Sequence, residues 1–359
     1  MDPSSIPEIA RPVDVDAHLA RYLDAVHRGD RRGAIDVAIG LLERGVDPET
    51  IITDLLARSQ WEIGRGWEEG TWSIALEHRA SAITESALQA VADTALRAPG
   101  AVVEGSRGRA VVACSEGEWH VLPGRMASEV LRLRGADVSF IGPSVPAGEL
   151  VEMLGDDAPA AVAITCSMPM SLTGTWRTIN ALRAVGMTIL CGGRGVGAHG
   201  VWGRALGADL WAPDFVTGAD LLLTALQSDP PRPRDPVGTP IVIEEVRLIH
   251  RDHESIVEAA TANALAAWPN IRESDAAVRA TRDDLGSTLK VVASATLVGD
   301  AAIITDYVTW FETVLAARDL PLAFVSSAFT LLLEVLSPEL PHARNMARTG
   351  LTACTAAPM

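Results

Sequence analysis

Four short, unbroken apolar runs between residues 110 and 191, each followed by a stretch of helical period, constrain this fold more than any other feature. They are Ala110-Val111-Val112-Ala113-Cys114, Val138-Ser139-Phe140-Ile141-Gly142, Ala160-Ala161-Val162-Ala163-Ile164-Thr165 and Thr188-Ile189-Leu190-Cys191. Asp209-Leu210-Trp211-Ala212 is a weaker fifth. Continuous apolar runs of this length predict strands covered on both faces. Helices expected from about Gly124 to Arg134, from Ala147 and from Ser171 supply the cover. The alternation predicts a doubly wound parallel-sheet α/β domain over residues 108–227, with ligands outside the carboxyl ends of the strands.

The flanking regions carry helical period alone. Residues 14–98 repeat apolar positions at helical spacing, as in Tyr22-Leu23 to Val26, Ala34-Ile35 to Leu41-Leu42 and Ile51-Ile52 to Leu55-Leu56. Breaks fall at Gly29-Asp30, at Gly45-Val46-Asp47-Pro48 and at Gly70-Thr71. Asp47 is placed to cap a helix, with Pro48 in its first turn. A helical-bundle cap is expected, its last helix starting just before Glu77-His78 and ending near Leu96. A Gly-rich linker follows, from Pro99 to Arg109. A Pro-rich, semi-rigid linker occupies residues 228–240. Residues 241–353 read as a further helical domain, clearest over 256–268, 285–297, 301–317 and 322–336. The expected fold class is α/β plus all-α.

Charge and cysteine usage narrow the function. The 359-residue chain has a formal net charge of −16 and only 30 basic residues, none in a run. A groove that neutralises nucleic-acid phosphates is therefore not expected. Cys114, Cys166, Cys191 and Cys354 lack CxxC spacing, and three lie in apolar strand runs. They read as free thiols of a reducing cytoplasm. No apolar run is long enough to span a bilayer. The acidic, polar start Met-Asp-Pro-Ser-Ser-Ile-Pro-Glu does not read as a signal peptide.

The residues that carry chemistry lie mostly in the loops after the strands. His120 is the strongest ligand candidate. It follows the first strand, beside Glu116 and Glu118, with Gly117 and Gly124 permitting close backbone approach. Glu118 is placed to take the ring N–H that a metal-binding histidine does not use; an exposed loop histidine is the alternative. Gly192, Gly193 and Gly195 follow the fourth strand without a Gly-Lys-Ser/Thr, so the loop is no nucleoside-triphosphate P-loop. It suits a ligand tail pressed against backbone. Thr165, Ser167 and Ser171 offer hydroxyls to the same crevice, although Ser171 serves equally well as a helix cap. In the helical region, Glu77-His78 beside Trp67 fits a charge-relay pair, a metal site or surface decoration. No second histidine stands four residues away, which argues against zinc.

With those residues in place, residues 14 to about 226 resemble the cobalamin-binding unit of methionine synthase and of cobalamin-dependent photoreceptor repressors. In that family a helical cap precedes a Rossmann-like domain, and the loop D/E-x-H-x-x-G supplies a histidine to cobalt. Here the loop reads Glu118-Trp119-His120-Val121-Leu122-Pro123-Gly124, with Pro123 where the family has Gly. The resemblance implies His120 as lower axial cobalt ligand. It also implies cobalamin contacts from Glu118, Trp119, Val121, Leu122, Gly124, Met126, the stretch Thr165–Leu172 (Thr165, Ser167, Ser171, Leu172) and Gly192, Gly193 and Gly195. The spacing W-x9-E-H formed by Trp67, Glu77 and His78 looks like the photoreceptor cap around an upper adenosyl group. A further histidine commonly follows that tryptophan in the repressors. Here Glu68 does, and the DNA-binding domain of the repressors is not seen.

The C-terminal helices resemble, by domain order and helix pattern, the globin-like second half of photocobilins, which holds a linear tetrapyrrole. No cysteine occurs between Cys191 and Cys354, so any biliverdin is expected to be held without a thioether. Arg282, Asp306, Tyr307, Trp310, His342 and Arg344 are the candidates for its propionates and pyrrole nitrogens. The resemblance thus implies a light-sensing signalling protein, not an enzyme, carrying adenosylcobalamin and biliverdin. Its expected partners are a downstream signalling protein and a further copy of the chain, with neither nucleic acid nor membrane. The rival expectations are a corrinoid protein carrying methyl groups for a methyltransferase, and a cobalamin sensor that works in the dark.

Overall fold

The helical region at the front of the chain is built from locally capped helices. In the computed structural model, which describes residues 15–102, 105–155 and 158–356, helix α1 spans Val15–Arg28 and α2 spans Arg31–Glu43. The N-terminal octet and residue 14 lie outside the described residues. The next helix begins as α3 (Pro48–Thr50), widens into a π-helix over Ile51–Ala57 and continues as α4 (Arg58–Glu68). Asp47 caps it by accepting the Glu49 N–H at 2.8 Å. Ile51, Ile52, Leu55 and Leu56 are all fully buried, an i, i+4 repeat that turns one face of the helix into the bundle. Helix α5 runs over Ile74–Leu96 with Ser73 as its cap. Tyr22, Leu41, Leu55 and Leu88 fill the bundle, and the Tyr22 hydroxyl donates to Thr84 Oγ1 at 3.1 Å.

The period change at residue 109 marks a five-stranded parallel sheet among the described residues: β1 Arg109–Cys114, β2 Asp137–Ile141, β3 Ala161–Thr165, β4 Thr188–Gly192 and β5 Leu210–Trp211. Strand order is β2-β1-β3-β4-β5. Val111 pairs with Ser139 on one side and Val162 on the other. The helices that follow the strands are α6 Val121–Leu133, α7 Ala147–Leu154, α8 Leu172–Ala184, α9 Val201–Ala205 and α10 Phe215–Ala225. Helix α6 packs on α10, and α7 on α8, as expected when helices cover both faces. The order of strands reverses between β1 and β3, which makes the loops after those two strands the natural walls of a ligand crevice. One expectation needs correction here. Helix α6 starts at Val121, not near Gly124, because Pro123 is tolerated in a first turn whose N–H groups have no helical partner.

The remaining helices are α11 Pro240–Arg251, α12 His253–Ala267, α13 Asp275–Val298, α14 Ala302–Ala316, α15 Ala323–Val335 and α16 Pro341–Ala356. Helix α13 is the centre of this region, with every residue from Val291 to Leu297 buried, as befits a helix covered all round. Helix α11 lies in the region read as helical but outside its clearest pieces, and Pro240, read as linker, is its first residue. The Pro-rich segment is held down along its length. Arg234 pairs with Asp209, and Val237 receives the Trp176 indole N–H at 2.7 Å while donating its own N–H to Asn180 at 2.8 Å.

The chain divides into two compact units. One comprises the described residues up to Trp67 and those from Trp72 to 102; the other comprises Glu68–Thr71 and the described residues from 105 onward. Within the second unit a single hydrophobic core runs from the sheet (Val111, Ile164, Ile189) into the C-terminal helices (Leu289, Val292, Phe329). The Trp202 indole on α9 adds a polar tie, donating to Asp300 at 2.8 Å.

Candidate functional site at the switch point of the sheet

Glu118 and His120 stand on the loop between β1 and α6, at the reversal of strand order. The Glu118 carboxylate is fully buried, yet none of its lone pairs is wasted. Oε1 accepts the His120 backbone N–H at 2.8 Å and lies 2.6 Å from the His120 Nδ1. Oε2 accepts the Ser167 N–H at 2.5 Å, with the Met168 N–H at 3.4 Å, both from the loop after β3. Burial alone would push this carboxyl up. The hydrogen bonds and charge of His120, with the backbone N–H groups, outweigh it and hold Glu118 below the usual carboxylate range. An ionised Glu118 requires Nδ1 to carry the proton, so the neutral ring presents Nε2 as its lone-pair nitrogen. The imidazole remains 57% exposed, although its partner carboxylate is buried.

The loop itself is braced from behind. Ser115 and Thr175 hydroxyls meet at 2.8 Å, and Arg177 donates to Glu116 at 2.8 Å. The Ser171 hydroxyl donates to the Gly117 carbonyl at 3.3 Å, so this residue ties the loop down. At Gly174 a Cβ would overlap the Glu116 carbonyl oxygen, which places the start of α8 directly on the loop. Arg177, Thr175 and Gly174 were not singled out in the sequence. Their partners are about sixty positions away, and no local pattern marks them.

The glycine loop after β4 divides by role. Gly193 has φ +104°, and a Cβ there would overlap the Cys166 carbonyl; at Gly195 it would lie 2.7 Å from the Met168 N. These two glycines let the loops after β3 and β4 touch. At Gly192 a Cβ would meet nothing within 4 Å, leaving bare backbone beside open space. Ser167 Oγ is buried without a hydrogen-bond partner. Thr165 Oγ1 makes a 3.6 Å contact with the Cys114 sulfur. Leu172, Met126 and Leu122 are buried in the hydrophobic interior, Gly124 packs against the Phe140 ring, and Trp119 is 70% exposed beside His120. Val121 is half-buried. Burial keeps the thiols of Cys114, Cys166 and Cys191 protonated, pushing Cys191 up to about 12.

In the first unit, Trp67 is half-buried near the end of α4. His78 Nδ1 lies 2.5 Å from Glu77 Oε2, and Ser81 donates to the other Glu77 oxygen at 3.0 Å, so Glu77 orients an exposed imidazole. Trp72 packs edge-on against His27 with centroids 4.9 Å apart.

Five of the six residues proposed for a bilin, all but Asp306, have protein partners of their own. Arg344 donates to the Leu333 and Leu336 carbonyls at the end of α15, at 2.8 and 2.5 Å. Arg282 pairs with Glu254 at 2.6 Å, and His342 Nδ1 lies 2.6 Å from Glu245. Tyr307 donates to or accepts from Thr288 at 2.9 Å, and its ring lies 5.8 Å from that of Trp310. Asp306 is exposed on α14. Of these, the structure brings Tyr307 and Trp310 together. Asp284, not singled out in the sequence, has its carboxyl pushed up to about 6 by partial desolvation and by neighbouring Asp283.

Among the described residues no group of three His, Cys, Asp or Glu side chains could hold a bare metal ion. A single oriented imidazole fits a metal that arrives with its other ligands already in a macrocycle. The open side of Gly192 and the unpartnered Ser167 Oγ fit a polar ligand tail in the same crevice. Residues 18–92 match a family described as B12 binding domain, and residues 108–214 match a second family of the same description. The chain therefore carries the helical and the sheet B12 binding domains of cobalamin-binding proteins, in that order. Trimethylamine corrinoid protein 1 of Methanosarcina mazei is 23% identical over 197 residues, which are 54% of this chain and 89% of that protein. The solved structure of the Methanosarcina barkeri monomethylamine corrinoid protein matches with a TM-score of 0.51 at 18% identity, over 59% of this chain and 99% of the other. At that identity the likeness speaks to the fold. Neither family match extends beyond residue 214, and among the described residues no helix is long and apolar enough to cross a membrane.

Proposed function

We propose that this protein is a light-responsive cobalamin sensor that signals to a partner protein. The observation that carries cobalamin binding is the buried Glu118 carboxylate, which fixes the His120 ring at the switch point of a sheet matched to a B12 binding domain. His120 would hold the cobalt through Nε2. Glu118 sets the ring's tautomer and orientation, as carboxylates behind metal-binding histidines commonly do. Gly192 and Ser167 would receive the nucleotide tail, with Gly193 and Gly195 holding the two loops together beneath it. Adenosylcobalamin supplies, when bound, a cobalt–carbon bond that visible light cleaves.

Support for the light reading comes from the cap and from the helices beyond residue 214. Trp67 with the Glu77–His78 pair has the photoreceptor spacing, and the Glu77 carboxylate holds His78 in one orientation. The helical C-terminal region, which lies beyond both B12 matches, would be the output and the home of a second chromophore. We assign to it a globin-like role, with a linear tetrapyrrole such as biliverdin held without a covalent bond. The free thiols fit a reducing cytoplasm, and self-association is part of the same reading.

Reconstitution of the full chain with adenosylcobalamin, then illumination, tests this directly. The expected result is a visible spectrum that changes with light. A spectrum unchanged by light removes photosensing and leaves cobalamin binding standing. The match to 89% of a trimethylamine corrinoid protein favours a second reading, a carrier of methyl groups for a methyltransferase. Methylation of the bound cobalt by a partner methyltransferase, with no response to light, would select it. A response to cobalamin uptake alone would select a dark sensor.

A further inference from the structure

We infer that Glu68 is a coupling residue, through which the chain segment directly after Trp67 acts on helix α14 of the C-terminal region. The inference rests on cobalamin binding by residues 18–214 and is independent of whether light or uptake is the trigger.

Glu68 ends α4 and directly follows Trp67. Its Oε1 accepts the Trp310 indole N–H from α14 at 3.2 Å. Arg318, just past the end of α14 and anchored on the Val314 carbonyl at 2.8 Å, reaches the Glu68 carbonyl at 3.5 Å. Two residues further on, Gly70 has φ +74°, and a Cβ there would lie 2.8 Å from the Ala317 carbonyl oxygen. The backbone at Gly70 therefore seats against the residue after α14 with no room for a side chain. An acceptor-only carboxylate is what an indole donor needs, and a hydrogen bond to an ionised group is the stronger kind. That bond is the use the structure makes of the carboxylate at position 68.

The contact continues inward. Trp310 lies beside Tyr307, the Tyr307 hydroxyl meets Thr288 on α13 at 2.9 Å, and α13 packs on the turn Pro169–Ser171. That turn directly follows Ser167 and Met168, whose N–H groups hold Glu118. Helices α13 and α14 thus grip the segment that follows Trp67 and the segment that positions His120. A packed helix pair touching both can respond to either by a small shift.

The test is hydrogen exchange of the full chain, without ligand and with adenosylcobalamin bound in the dark, compared with Trp310→Phe and Glu68→Ala. The first variant removes only the indole donor and keeps an aromatic ring. The second removes the acceptor. In the unaltered protein, exchange over residues 302–316 should change on uptake. Both variants should still take up adenosylcobalamin, read from absorbance, and should lose that change. An unaltered protein that binds adenosylcobalamin without a change over 302–316 overturns the inference, as do variants that respond like the unaltered chain. Absence of uptake by the unaltered protein would instead remove the cobalamin reading, and this inference with it.

Discussion

Among the described residues, the histidine–carboxylate pairs His120–Glu118 and His342–Glu245 share nearly the same geometry, and they have different work to do. In each, Nδ1 lies 2.6 Å from a buried glutamate that also accepts the histidine's own backbone N–H. In each, about half of the imidazole stays exposed. The difference lies in what else the carboxylate holds. Glu118 binds the amides of a second loop across the reversal of strand order, so it assembles a crevice. Glu245 binds the Ala343 N–H at 3.1 Å, the next amide in the first turn of α16, and so acts as a cap supplied by α11. An oriented imidazole is therefore not a ligand site by itself. The open backbone at Gly192 and the unpartnered Ser167 hydroxyl are what favour His120 over His342 as the proposed ligand.

That comparison can be broken most directly at the two rings. His120→Ala should abolish the spectral signature of an imidazole bound to cobalt in the reconstituted protein, whereas His342→Ala should leave the spectrum as it is. Glu118→Ala should weaken uptake on the order of 10- to 100-fold through loss of ring orientation. If His342→Ala changes the cobalt spectrum as much as His120→Ala, the two pairs are equivalent and the distinction fails. Glu245→Ala, by contrast, should act on folding. It strips partners from two backbone N–H groups and a ring, and urea unfolding should report a loss of about 1–3 kcal/mol. Cobalamin uptake should be untouched without urea, where the chain is folded.

The glycines sharpen the same division. Gly193→Ala forces a side chain into a positive φ and onto the Cys166 carbonyl, and should cost about 1–3 kcal/mol of stability. Gly192→Ala meets open space, so stability without ligand should stay within about 0.5 kcal/mol. Its effect should appear in a titration with cobalamin, as weaker binding. The smallest effect concerns Asp284. Its folded value of about 6 lies above the ordinary 3.8, so the folded chain holds that proton more tightly than the unfolded chain. Stability from this group is fully present below pH 3.8 and lost as pH rises through 6. Asp284→Asn should therefore raise the unfolding free energy at pH 7.5 by roughly 0.5–1 kcal/mol, a value reduced because solvent reaches and screens this exposed carboxyl. The gain should vanish near pH 3.5.

The legible parts of this chain were those with a local cause. Buried strands leave unbroken apolar runs, and β1 to β4 appear within a residue or so of where those runs lie. Asp47 beside Pro48 announces a helix start. Glu118 two residues before His120 foretells their bond, because an i, i+2 carboxylate can reach the ring without help from elsewhere. The start of α6 was misplaced by three residues because Pro123 reads as a breaker unless the first turn is known. Helices α10, α11 and α16 were not picked out.

Sequence by itself determined the succession of β1 to β4 and the pairing of Glu118 with His120, since each depends on neighbours a few bonds apart. Tertiary structure decided which glycine faces open space, that Glu245 spends itself on a helix 97 positions away, and that Glu68 holds an indole on α14. Those outcomes depend on where distant backbones come to lie, and hydrogen bonds a few ångströms long leave no periodic trace in the chain that makes them.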